Sequence, residues 1–143
     1  MKCKDIMAKN IKSCTRDCTA IDAAKLMKEI NSGVIPIVNE ENQILGVLTD
    51  RDITLKTIAE FKDPFYTSVQ DIMSQSVVTV SPNESIDSAI SKMKEYRVRR
   101  LPVVDNNKVV LGMLSLGDIA VQAHEEHETF EALEKISEPI SRW

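Results

Sequence analysis

Two hydroxyl–carboxylate pairs carry the clearest chemistry in this chain: Thr49 with Asp52, and Ser115 with Asp118. They lie in matching stretches, Gly46-Val47-Leu48-Thr49-Asp50-Arg51-Asp52-Ile53 and Gly112-Met113-Leu114-Ser115-Leu116-Gly117-Asp118-Ile119. An apolar run that ends in a hydroxyl and meets an acid three residues later reads as a strand entering a helix. Such a corner brings together a hydroxyl, a carboxylate and free backbone N–H groups, with the positive end of a helix dipole behind them. The same residues have a purely local use, the hydroxyl as N-cap and the acid in the first turn. No Ser-His-Asp or Cys-His arrangement has support in the sequence. The four glycines are scattered and make no phosphate loop. No catalytic residue is assigned, and an enzyme is not expected.

The corners belong to a longer repeat. Shifting the chain by 66 residues aligns positions 5–53 with 71–119 without a gap, and 14 of the 49 pairs are identical. Asp-Ile-Met opens both copies, at 5–7 and 71–73, and Pro36, Val38 and Gly46 pair with Pro102, Val104 and Gly112. Within each copy, period and punctuation predict short β-prone runs at 11–14 and 77–80, each ending at a turn. Thr19 and Ser85 then read as N-caps of a helix. Ile86, Ala89, Ile90 and Met93 form one apolar helical stripe, matched by Ala20, Ala23, Ala24 and Met27. A hairpin follows, with strands at 35–38 and 44–49, or 101–104 and 109–115, joined by polar turns. A closing helix begins near Arg51 and near Gly117.

Each copy is thus β-α-β-β-α, and the fold class is α/β (α+β). One unit of this size buries too little apolar surface to be secure alone. The expected architecture packs two units sheet against sheet about a pseudo-twofold axis, with the corners lining clefts between them. The spans are 1–60 for the first repeat, 61–67 for a linker interrupted by Pro64, 68–124 for the second repeat and 125–143 for a helical tail. Phe130, Leu133 and Ile136 are expected to form the tail's apolar stripe.

Composition narrows the partners. The net charge of −4 argues against a general nucleic-acid binder. No run approaches the roughly 20 apolar residues of a membrane span, and the N-terminus lacks a signal-peptide core, so a cytoplasmic location without membrane contact is expected. Three cysteines, Cys3, Cys14 and Cys18, read as reduced thiols that pack, the Cys14–Cys18 spacing being poor support for zinc. His124 and His127 lie among glutamates and read as an exposed acidic helix. No metal site is assigned.

The Asp-Ile-Met openings, Ser-Pro-Asn-Glu-Ser at 81–85, Leu-Pro-Val-Val-Asp at 101–105 and Gly-Val-Leu-Thr-Asp-Arg-Asp-Ile at 46–53 resemble the CBS domain, in tandem as a Bateman module. The resemblance covers residues 5–119. It implies a regulatory or energy-sensing role in which an adenosine-containing ligand (AMP, ADP, ATP, S-adenosylmethionine, NAD or cyclic di-AMP) binds in clefts between the repeats. It further implies a homodimer that signals to a protein partner, here as a stand-alone pair, with no resident cofactor. The family's ribose motif, Gly-h-x-h-(Ser/Thr)-x-x-Asp with h apolar, is met by Thr49 and Asp52 and by Ser115 and Asp118. Phosphate would fall to Arg51, Arg99 and Arg100, which make the two clefts electrostatically unequal. Solvated basic surface or a dimer contact is the other reading of these arginines. Ile11, Ile35, Val77 and Leu101 are apolar candidates for the base, or equally core. The alternative function is a ligand-free dimerisation or protein-docking module.

Overall fold

The computed structural model describes residues 1–124 and 126–138. Each repeat forms a helix, a hairpin and a closing helix. In the first, α2 (Ala20–Ile30) precedes β2 (Val34–Val38) and β3 (Ile44–Thr49), then α3 (Asp50–Ile53), which runs on as a π-helical turn (Thr54–Ile58). In the second, α5 (Ile86–Tyr96) precedes β4 (Arg100–Val104), β5 (Val110–Ser115) and α6 (Leu116–Gln122). Short helices α1 (Cys3–Ile6) and α4 (Val69–Ile72) carry the two Asp-Ile-Met segments, β1 (Cys14–Thr15) is two residues long, and α7 (Glu126–Ile136) follows α6.

The predicted caps form. Thr19 Oγ1 accepts the Asp22 N–H at 3.2 Å while Asp22 accepts the Thr19 N–H at 3.0 Å, a reciprocal capping box. Those bonds hold the Asp22 carboxyl below its ordinary pKa. Ser85 Oγ accepts the Ser88 N–H at 3.1 Å. The α2 stripe buries Ala20, Ala23 and Met27, and the α5 stripe buries Ile86, Ala89, Ile90 and Met93. β2 and β3 pair antiparallel, and β4 pairs with β5.

The β-prone runs at 11–14 and 77–80 are shorter than expected. β1 pairs parallel with β2 only at Cys14–Ile37 and Thr15–Val38, and the second run keeps a single bridge, Val80 to Val103. In both copies the ladder begins at the residue after a proline, Pro36 or Pro102. A proline nitrogen has no hydrogen to donate to a neighbouring strand, so pairing cannot extend past it.

The chain divides into two compact units that are not the repeats as they run in sequence. The first-repeat unit holds residues 11–77 with 108–110, and the second-repeat unit holds residues 1–10, 78–107 and the chain from 111 onward. The opening segment of the molecule therefore belongs to the second-repeat unit. Cys3 and Ile6 are buried in its core with Ile90, Leu101 and Leu114, and Ala8 and Met113 exchange backbone hydrogen bonds of 2.8 and 3.0 Å. The Asp-Ile-Met segment of the second repeat sits in the first-repeat unit in the same way. Val69 and Ile72 join Ile35, Ile37 and Leu48 there, and Ser74 exchanges bonds of 2.9 and 3.0 Å with Val47.

The motif glycines make room for this. A Cβ on Gly112 would lie 2.7 Å from the Ala8 carbonyl oxygen, and one on Gly46 would lie 2.7 Å from that of Ser74. The C-terminal helix is likewise part of a core. α7 buries Ala132 and Ile136 in the second-repeat unit, whereas Phe130 is 66% exposed, so the tail's stripe is not the expected Phe130-Leu133-Ile136. A small residue at the contact lets a helix approach closely, and Ala132 takes that place four residues before Ile136.

Candidate functional site

Both corners form as strand-to-helix transitions, and both hydroxyls cap. Thr49 Oγ1 accepts the Asp52 N–H at 3.1 Å, and Ser115 Oγ accepts the Asp118 N–H at 3.0 Å. An accepting hydroxyl keeps its own hydrogen, so each can still donate outward. The backbone ties each corner to the start of its paired strand. Asp50 N–H donates to the Gly33 carbonyl and Leu116 N–H to the Arg99 carbonyl, both at 2.9 Å.

That tie decides what stands beside each hydroxyl. At the first corner the neighbour is Gly33, and a Cβ there would lie 2.8 Å from the Asp50 carboxylate. Asp52 is engaged as well: it accepts the Thr49 N–H at 2.9 Å, pairs with Lys56 at 3.2 Å, and is 17% exposed. Arg51 is exposed on α3. At the second corner the neighbours are Arg99 and Arg100. These line a cavity of about 390 Å³ with Ser115, Leu116, Gly117 and Ala120, closed on one side by Thr129 and Leu133 of α7. Among the described residues no carboxylate pairs with Arg99 or Arg100. Asp118 is half-buried beside Gly117 and has no ion-pair partner among the described residues; Gln122 stands where the first repeat has Lys56.

Arg97 parts from the other two arginines. It ends α5 in the left-handed conformation (φ 55°), and its guanidinium reaches Glu138 at 3.1 Å. Ile35 and Leu101 are fully buried in the cores of their units, while Ile11 and Val77 are half-buried in the first-repeat unit. Thr129 and Leu133 were not legible as site residues. The only hint is their spacing of one helical turn beside the buried pair Ala132 and Ile136.

The cysteines are free thiols. Burial pushes the Cys3 thiol up to about 11, and burial, with the hydrogen bond that the Cys14 thiol donates to Cys18, pushes Cys14 up to about 12. Among the described residues no three His, Cys, Asp or Glu side chains gather as metal ligands, and no helix is long and apolar enough to cross a membrane. His127 is exposed and 3.5 Å from Glu131.

This duplicated α/β unit with its hydroxyl-and-acid corner matches the model of the CBS domain at residues 3–56 and 69–125. The chain belongs to the CBS-domain family. It is 40% identical over 134 residues to the CBS domain-containing protein YhcV of Bacillus subtilis (strain 168), covering 94% of each chain. Its fold matches the CBS domain pair of protein MJ0100, solved in complex with 5′-methylthioadenosine and S-adenosyl-L-methionine. That match has a TM-score of 0.78 at 28% identity and covers 88% of this chain and 98% of that one. Hypoxic Response Protein I, solved with two coordinated zinc ions, matches at a TM-score of 0.78 and 30% identity, covering 85% of this chain and 98% of the other.

Proposed function

We propose that this protein is a regulatory module that binds an adenosine-containing ligand (AMP, ADP, ATP, S-adenosylmethionine, NAD or cyclic di-AMP) and signals its occupancy, as a homodimer, to a protein partner. The observation that carries this reading is the placement of Arg99 and Arg100 in one cavity with Ser115. Guanidinium groups suit phosphate or carboxylate, a hydroxyl donates to either, and the carboxylate of Asp118 can accept from both hydroxyls of a ribose. The two ligands bound to the MJ0100 pair are adenosine compounds of the same chemical class. The first corner is the weaker of the two, because Lys56 already neutralises Asp52 and Asp50 adds negative charge. No reaction is assigned to either corner.

Thermal unfolding of nucleotide-free protein against AMP, ADP, ATP, NADH, S-adenosylmethionine and cyclic di-AMP tests the reading. A ligand at about 100 times its Kd adds about 2.7 kcal/mol, a midpoint shift of several degrees. The shift should vanish in Asp118→Ala and in Arg99→Ala/Arg100→Ala and survive in Asp52→Ala. No shift across the panel would favour the ligand-free docking module, for which the exposed Ile58, Phe61, Phe65 and Tyr66 of the first-repeat unit provide apolar surface.

A further inference from the structure

The helix α7 lies beyond the residues that match the family model, yet it supplies a wall of the Arg99–Arg100 cavity through Thr129 and Leu133. The Oγ1 of Thr129 is buried and has no hydrogen-bond partner among the described residues. A buried hydroxyl without a partner is costly, and threonine in a helix divides between two rotamers. One turn about χ1 exchanges its methyl for its hydroxyl, on a residue that already faces the cavity.

The helix packs on α5 and α6 of its own unit. Its described burial rests on Ala132 and Ile136. Its solvent-accessible pairs, Lys94–Glu131 at 3.8 Å and Lys135–Glu138 at 3.5 Å, contribute little, while Arg97 at the end of α5 reaches Glu138 just past the helix at 3.1 Å. A helix opens locally with a free energy below that of global unfolding, and a modest added contact changes that opening.

We propose that α7 is both part of the binding site and its responsive element: a small anionic ligand held by Arg99 and Arg100 hydrogen-bonds Thr129, packs on Leu133, and thereby tightens α7 against its own unit. This rests on the reading of the cavity as an adenosine-ligand site and adds to it the place where occupancy is read. A helix that gains contacts only in the occupied state shifts its population with ligand, as a differential affinity requires.

Backbone hydrogen exchange over residues 126–136 of the full chain, with and without AMP, ATP or S-adenosylmethionine, reads the tightening, and calorimetric titration reads the affinity. The expected result is slower α7 exchange with the compound that binds. Thr129→Val should lower its affinity about threefold to tenfold, the range of one hydrogen bond, and Thr129→Ser should restore it. Thr129→Val without ligand should unfold no earlier than the parent, because it deletes a hydroxyl without a partner among the described residues. A compound that binds with unchanged α7 exchange and equal affinity for Thr129→Val overturns the proposal and leaves the adenosine-ligand reading standing. Failure of every compound to bind removes both.

Discussion

Replacing Gly112 by alanine should destabilise the protein, although alanine suits a strand better than glycine does. The new methyl carbon would lie 2.7 Å from the Ala8 carbonyl oxygen and 2.8 Å from Met7 Sδ, where ordinary contacts begin at 3.4 Å. Met7 can turn aside. The Ala8 carbonyl cannot, because it accepts the Met113 N–H at 3.0 Å and continues a segment anchored by buried Cys3 and Ile6. Overpacking of this kind costs about 1–3 kcal/mol, and each strained hydrogen bond of the Ala8–Met113 pair adds up to about 1 kcal/mol. A loss of about 2 kcal/mol lowers the midpoint by about 5–10 °C in a chain of this size. Far-UV circular dichroism melts at fixed protein concentration measure it. Gly117→Ala is the control, since its Cβ meets only Ser115 Oγ at 3.8 Å and a helical alanine gains about 0.5–1 kcal/mol. If Gly112→Ala melts with or above Gly117→Ala, the close approach of the opening segment is refuted.

Ile136→Ala should cost about 2–5 kcal/mol in urea unfolding, while Phe130→Ala stays within about 0.5 kcal/mol; equal effects would refute the assignment of the buried face of α7. Burial raises the pKa of Glu84, but the Ser88 hydroxyl, Lys92 and the Ser81 N–H outweigh it and the net shift is below the ordinary 4.5. A depressed carboxyl contributes stability above its unfolded pKa and loses it as pH falls through the folded one. Glu84→Gln should therefore be less stable than the parent at neutral pH, with the gap closing below pH 4.5; a gap that widens on acidification contradicts the sign. A thiol reagent at mildly alkaline pH should modify half-buried Cys18 before Cys3 or Cys14, whose thiols stay protonated there. Mass spectrometry reads the order, and early labelling of Cys3 would contradict its burial.

Local rules carried the sequence reading as far as they reach. Thr19 and Ser85 cap the helices that their positions announced, and the hairpins start and stop within a residue of the apolar runs. The corners were legible because a hydroxyl three residues before an acid is itself a capping pattern. That is also why sequence could not separate capping from binding: the same atoms do the first and remain free for the second. The inequality of the corners was readable at Arg99 and Arg100 but not at Asp52, whose pairing with Lys56 depends on side-chain placement. In the tail, large side chains do not mark the buried face, which Ala132 shares with Ile136 while Phe130 stays exposed. Nothing in the periodicity of residues 1–10 announces which sheet they join, since that choice is made by pairing at long sequence separation.

The joining of Ala8 to Met113 has a consequence for synthesis. The seat of the first ten residues emerges from the ribosome long after them, first with Pro82, Glu84 and Ser85 and last with Met113. Met1–Asn10 must wait until the second repeat is being made, whereas residues 11–77 can begin to assemble as soon as Val69–Ile72 appears. A contact closed over so long a loop is slow to form. A half-length chain ending near residue 67 would carry its own opening helix with no sheet to receive it, and a sheet lacking the helix that belongs there.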